Sequence, residues 1–275
     1  MNRMTLFSCV LLYLIFILSS LSVADNGYTF SMLPRFFPKK IKSMINPLVN
    51  YLSNELGMQI KPIMTKDFTD YENRLKNGEI EIGYENPVVY TIVSKEHEVI
   101  AMAVKGKGGN RFRGLIIAHP DSDIQTISDL RHKTIMIVGK TAAAGLLSQK
   151  LTLMKNGIDI ERDCQTEIAT DNKQENVIIS VSIGDVDAGC IRESALHIAD
   201  QYIQPNTIEV VTTCEWLPNW ALSVDRNLPV DKKVAIRTAV TSLRQNSSVL
   251  KAMGVTNFQS ATDSQYDVIR KLLEK

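Results

Sequence analysis

The amino-acid sequence predicts an α/β protein built as two Rossmann-like lobes joined by crossover strands. Three observations lead there. Short apolar runs alternate with stripes of helical spacing along most of the chain, which implies parallel strands covered by helices. One plan, a strand, a polar turn, a helix ending in glycine and a short strand, occurs twice, over residues 58–84 and again over 164–191. Between the copies lies a stretch rich in glycine and lysine, residues 105–109, of the kind that links domains.

Each element has its own signal. Residues 28–33 alternate as a strand that Pro34 ends. Ile41, Met44, Ile45, Leu48, Val49, Leu52 and Leu56 then form a helical stripe, and Gly57 stands where a left-handed cap closes it. A strand at 58–64, a helix marked by Phe68, Tyr71 and Leu75, and a strand at 80–84 follow. A short helix at 87–94 and a strand at 99–104 complete the first pass. The second lobe opens with a strand at 113–119, a capped turn at 128–130 and a β-branched run at 135–138. Leu146, Leu147, Leu151 and Met154 have helical spacing. A strand at 164–168, a helix at 172–183, a strand at 186–191, a helix at 193–202 and a strand at 208–212 come next. Residues 217–224 return to the first lobe, closed by helices at 231–245, 247–253 and 263–273. The expected lobes are thus 25–108 with 220–275, and 109–219.

Residues 1–24 read as a targeting segment. Arg3 precedes an apolar run from Leu6 to Leu18, and Ser22 and Ala24 are small residues at the two positions a signal peptidase reads. Cleavage after Ala24 is expected, with export to the periplasm; the later chain holds no apolar stretch long enough to span a bilayer. Removal of Arg3 leaves basic and acidic residues in balance, which excludes the basic excess of a nucleic-acid surface. Cys164, Cys190 and Cys214 remain after cleavage, so at most one internal pair can form, and the sequence leaves the pairing open. The histidines, His97, His119, His132 and His197, are scattered without ligand spacing, so neither a metal nor a cofactor is expected.

In layered α/β domains ligands settle at the carboxyl ends of the strands. Pro34, Arg35, Tyr84 and Asn86 would lie there in the first lobe. In the second, the strand at 135–138 runs through Gly139, Lys140, Thr141, Ala142, Ala143, Ala144 and Gly145 into a helix. The first amides of that helix have no partner within it and sit at the positive end of its dipole, beside the charge of Lys140. A nucleotide-binding phosphate loop is excluded, because its first glycine would fall at Thr134. A plain close-packed turn and an anion site remain equally open from spacing alone.

Taken together, Leu33-Pro34, residues 47–57, Tyr71, residues 75–78, Gly83-Tyr84-Glu85-Asn86-Pro87, Tyr90, residues 127–130, 155–158 and 184–189, and Leu217-Pro218 resemble the periplasmic solute-binding proteins of ABC importers. The similarity is to the phosphonate, phosphite and phosphate branch and runs over residues 28–260. The resemblance implies the type II two-lobe fold, a non-catalytic monomer, a small anionic ligand held between the lobes, and an ABC permease as partner. It places an aromatic ligand contact at Tyr84, a hydroxyl-rich anion loop at Ala142, Ala143, Ala144 and Gly145, a histidine near Lys173 or Gln174, and an acid near Glu193 and Ser194, beside Arg192. A further acid, for a ligand amine, falls near Trp220, where no carboxylate stands. The loop keeps its amides and has lost its hydroxyls; Lys140, Thr141, Arg35 and Arg192 could replace them. Trp220 itself reads as a packing residue. A sensory protein signalling to a membrane kinase or chemoreceptor is the alternative, and an enzyme the more distant one, since Cys190 beside Arg192 and Glu193 is the only grouping that suggests a nucleophile.

Overall fold

The structure, a computed structural model, describes residues 27–140 and 142–274. The expected signal segment and Thr141 lie outside the described residues. β1 (Tyr28–Met32) leads into α1 (Pro38–Leu56), whose buried face is the stripe from Ile41 to Leu52 and whose end is capped by Gly57 at φ 59°. β2 (Ile60–Pro62), α2 (Phe68–Lys76), β3 (Ile82–Glu85), α3 (Pro87–Val93) and β4 (His97–Val104) follow. A two-residue strand, β5 (Arg111–Phe112), carries the chain across to β6 (Gly114–Ala118) and β7 (Thr134–Ile137). A π-wound turn, Ala143–Leu147, opens α4 (Ser148–Lys155). α5 (Ile160–Asp163), β8 (Gln165–Ile168), α6 (Gln174–Ser182), β9 (Ala188–Arg192) and β10 (Glu209–Thr213) complete that half. β11 (Leu217–Pro218) returns to β12 (Ala221–Asp225), and α7 (Val230–Thr241), α8 (Ser248–Met253), β13 (Asn257–Ser260) and α9 (Asp267–Leu273) follow.

Two sheets result. One has the order β13-β4-β12-β3-β1-β2 and the other β10-β6-β9-β7-β8. At one end of each is the same parallel trio, β2-β1-β3 in one and β8-β7-β9 in the other. An antiparallel strand flanks each trio next to its last member: β12 beside β3, and β6 beside β9. The repeated sequence plan therefore supplies the two outer strands of each trio and the helix between them. β5 and β11 pair antiparallel, Leu217 opposite Phe112 and Pro218 opposite Arg111, so the two crossovers form one short ribbon between the lobes.

Hydrophobic burial separates the lobes and also joins them. One cluster, from Phe30 through Leu52, Leu75 and Leu222 to Phe258, fills the first lobe, and two others cover the two faces of the second sheet. A fourth brings Val88 of α3 and Ile269 and Leu272 of α9 against Ala143, Ala144 and Leu147 of the π-wound turn. The C-terminal helix thus touches the second lobe directly beside the loop that was singled out as an anion site.

Several expected elements differ. Residues 193–202 form a 3-10 turn, Glu193–Ala195, and then successive turns instead of a helix. Only the small side chains of Ala195 and Ala199 are buried there, while Ile198 and Tyr202 stay exposed, so little apolar burial holds a helix together. β13 had no alternating signal because Phe258 is its only buried residue; pairing with β4 makes it a strand. Cys164, Cys190 and Cys214 are all free thiols.

A polar chain crosses the first sheet. The Tyr71 hydroxyl donates to Glu85 at 2.8 Å, and His97 Nδ1 lies 3.0 Å from the Ser223 hydroxyl. Burial pushes the Glu85 carboxyl up from its ordinary 4.5 to about 7, against the opposing pull of the Ser223 and Tyr71 hydroxyls. A proton held more tightly in the fold than in the unfolded chain stabilises the fold below about pH 4.5, and that stability is lost as pH rises through about 7. Chemical denaturation across this range is expected to show wild-type stability falling relative to Glu85→Gln by about 3 kcal/mol. Parallel pH profiles for the two proteins would contradict the assignment.

Candidate functional site

A cleft of about 480 Å³ opens between the lobes. Its walls are the carboxyl ends of the two parallel trios. Leu33 and Arg35 follow β1, Phe68 and Thr69 begin α2 after β2, and Asn86 follows β3. From the other lobe come residues 138–140 and 142–145 after β7, Asn172 and Gln174 after β8, and Arg192 at the end of β9. Phe112 of the crossover ribbon and Trp220 complete the lining. Several helix N-termini consequently face one volume, and the positive ends of their dipoles favour negative charge there.

The loop after β7 is held from three sides. The Val138 amide donates to the Gly145 carbonyl at 3.1 Å and the Ala142 amide to the Gly139 carbonyl at 3.0 Å. A methyl group on Gly145 would lie 2.4 Å from Val138 Cγ2, so only glycine lets the strand end and the first helical turn approach this closely. Gln149, wholly buried, reaches back with Nε2 to the carbonyls of Ala144 at 2.9 Å, Leu115 at 3.0 Å and Ile191 at 2.9 Å. The amides of Ala143, Ala144 and Gly145, in the first turn, donate to no backbone group among the described residues. The winding differs from the regular α-helix expected: the Leu147 amide bonds the Ala142 carbonyl five residues back, at 3.2 Å.

Two arginines converge on the cleft from opposite lobes. Pro34 is half-buried and does not line the cavity; the Arg35 amide donates back to the Leu33 carbonyl at 2.8 Å, a tight turn around Pro34 that aims Arg35 inward. The Arg35 guanidinium lies 4.3 Å from the Trp220 ring centroid and 4.7 Å from that of Phe36. Arg192 lies 4.5 Å from the Phe112 ring, and its amide donates to Gln174 Oε1 at 2.7 Å. Burial, then the neighbouring charge of Arg35, pulls Arg192 down to about 10; burial likewise lowers Arg35, although that residue as a whole remains open to solvent. Lys105 is lowered by burial and by both arginines. None of these three cations has an acid within ion-pair distance among the described residues. The one carboxylate in the lining, Asp67, accepts the Asp70 amide at 2.8 Å as the N-cap of α2.

The remaining sequence candidates divide. Lys140, Ala142, Ala143, Ala144 and Gln174 line the cleft, and Asn86 does so while its Oδ1 caps α3 through the Val88 and Val89 amides at 2.9 and 3.0 Å. Tyr84 is 3 % exposed and packs on Trp220, ring centroids 5.1 Å apart; it borders a small side cavity with Arg35, Lys105 and Arg192. Burial raises its phenol to about 12 against the pull of the two arginines. Glu193 does not face the cleft: it pairs with Arg113 Nη2 at 2.7 Å and borders a neighbouring cavity. Trp220 packs as expected and also floors the site. Phe112, Asn172 and residues 67–69 were missed, although the strand-end rule applied to β2 points to the last group. Cys190 is wholly buried, with its thiol held well above the ordinary range by burial, so it presents no nucleophile to the cleft.

Two α/β lobes, a paired crossover ribbon and a cationic cleft at the strand ends define a solute-binding clamshell. The chain belongs to the family described as ABC transporter, phosphonate, periplasmic substrate-binding protein, whose model matches residues 30–266. Among solved structures it is similar to a binding-protein component of an ABC phosphonate transporter from Pseudomonas aeruginosa, at 19% identity and TM-score 0.67 over 90% of this chain and 85% of that one. It is also similar to PhnD1 from Prochlorococcus marinus in complex with methylphosphonate, at 12% identity and TM-score 0.73 over 91% and 98%. A Xanthomonas citri protein bound to ATP matches at 16% identity and TM-score 0.73 over 89% and 94%. At these identities the likeness is one of fold: the type II periplasmic binding protein with two lobes.

Gly145→Ala is expected to destabilise the protein by about 1–3 kcal/mol through overpacking against Val138, read by urea denaturation. A stability unchanged within a few tenths of a kcal/mol would show that the strand end can yield.

Proposed function

We propose that this chain captures a small oxyanion, of the phosphonate, phosphite or phosphate class, between its lobes and delivers it to an ABC permease. The observation that carries the reading is the convergence of Arg35 and Arg192, one from each lobe, on a cleft without a free carboxylate. An anion between them would relieve the repulsion between the two guanidiniums and would touch both lobes at once. Its other oxygens would meet the bare amides of Ala143, Ala144 and Gly145, with Lys140 adding charge at the rim. Binding would then favour the closed form over the open one, the difference a permease needs to tell loaded from empty protein. We take the lobes as residues 25–108 with 220–275 and residues 109–219, and the mature chain as exported after cleavage at Ala24. The family supports the periplasmic setting.

The position near Trp220 where the resemblance places an acid for a ligand amine holds no carboxylate in this sequence, which disfavours ligands that carry an amine beside the anion. Arginines on aromatic faces are geometrically suited to oxyanions, because stacking fixes the guanidinium plane and leaves its edge donors free. Thermal-shift measurements should therefore respond to methylphosphonate, phosphate or phosphite and not to neutral or cationic solutes. A tight ligand at a thousand times its Kd stabilises by about 4 kcal/mol, which such a screen detects. Arg35→Met and Arg192→Met should each weaken the responding anion by about 10- to 100-fold, the worth of one charge-assisted hydrogen bond. A response confined to neutral or cationic compounds, or arginine variants that bind the anion as tightly as wild type, would overturn this reading.

A further inference from the structure

We infer that a second anion subsite lies on the crossover side of Arg192, and that the captured solute carries two anionic groups. The inference rests on the oxyanion reading of the main cleft and extends it. A second cavity of about 390 Å³ is bounded by Lys105, Lys107, Arg111, Arg113, Arg192 and Trp216. It shares Arg192 and Phe112 with the inter-lobe cleft, so one guanidinium stacked on one ring stands between the two volumes.

The charge in this cavity is unbalanced. Five basic side chains border it against one carboxylate, Glu193, in a chain whose total formal charge is only +1. Glu193 is already committed to Arg113 at 2.7 Å, which holds its carboxyl below the usual range. Lys105, Lys107, Arg111 and Arg192 have no acid within ion-pair distance among the described residues. Like charges gathered this way repel, and the arrangement is relieved by an anion supplied from outside.

The geometry suits an anion that stays in place. Arg111 and Arg113 both lie over the Trp216 ring, at 5.5 and 4.7 Å from its centroid, so two guanidiniums share one aromatic support. Arg113 Nε is buried and donates to nothing among the described residues. Gly108 closes the wall: a methyl there would sit 2.5 Å from the Trp216 ring and 2.3 Å from the Arg111 carbonyl. A cavity of this size, next to another that takes the first anion, fits the distal end of one elongated solute. The ligand class is an organic bis-oxyanion, with one group seated by Arg35 and the loop amides, the other by Lys107, Arg111 and Arg113, and Arg192 between them.

The test uses isothermal titration of the full chain with methylphosphonate and with a series of α,ω-alkanebisphosphonates of increasing spacer length. At least one bisphosphonate should bind 10-fold or more tightly than methylphosphonate, with an optimum in spacer length. Lys107 and Arg111 are exposed, so the double variant Lys107→Gln, Arg111→Gln should fold. It should abolish the bisphosphonate advantage and leave the methylphosphonate affinity unchanged. Methylphosphonate binding with no bisphosphonate gain at any length, or a gain that survives the double variant, overturns this inference alone. Failure of every anion to bind overturns it together with the main reading.

Discussion

Two guanidiniums held near each other with no carboxylate between them form an arrangement that a protein must support structurally. Arg35 and Arg192 are supported by rings: Trp220 and Phe36 beneath one, Phe112 beneath the other. The rings attract the cations through their electron-rich faces and hold the planes in place without neutralising them. Among the described residues no carboxylate in the cleft is free to cancel the charge, since Asp67 is engaged at a helix cap and Glu193 has turned away to Arg113. Burial lowers the pKa of both arginines, and the neighbouring charge of Arg35 lowers that of Arg192 further.

The rest of the architecture can be understood as the means of bringing these two side chains together. Each arginine stands at the carboxyl end of a strand in a parallel trio, and the trios belong to separate sheets. The chain passes between the sheets twice, and the two passes pair as β5 and β11, so the lobes are joined by a narrow ribbon with backbone hydrogen bonds. A ribbon of this kind permits rotation of one lobe against the other more readily than a broad apolar interface would. The apolar contact of α3 and α9 with Ala143, Ala144 and Leu147 adds a second connection at the cleft edge. It also explains why the loop carries Ala143 and Ala144: both are 8 % exposed and pack across the lobe boundary, while their amides donate to no backbone group among the described residues. Small side chains serve both needs where hydroxyls would have to be desolvated without partners.

The loop shows how backbone geometry takes over when side-chain donors are missing. Gly145 permits the contact with Val138, Gln149 fixes the Ala144 carbonyl, and the π-wound turn leaves consecutive amides without backbone acceptors among the described residues. None of these features presents a charge to a ligand, yet together they set the direction of the amides. The guanidiniums then provide the charge that the amides lack.

Much of this was legible in the chain itself, because periodicity and chain punctuation are local. The helical stripe from Ile41 to Leu52, the cap at Gly57, the duplicated strand, helix and strand, and the crossover near residues 105–109 are all written in residue order, and they imply the two sheets. Strand ends are local as well, which is why Arg35, Asn86, Lys140, Gln174 and Arg192 could be placed at the cleft from spacing and resemblance. What a side chain faces is a property of pairs distant in sequence. Glu193 could not be seen to meet Arg113, nor Trp220 to lie under Arg35, nor Phe112 under Arg192, because each pair is joined only when the sheets pack. β13 likewise becomes a strand through its neighbour β4, since one buried phenylalanine carries no period. The sequence alone therefore determined the lobes and the strand ends that frame the cleft, while only the tertiary structure decided which charges enter it unpaired, because charge compensation depends on distances that residue order does not encode.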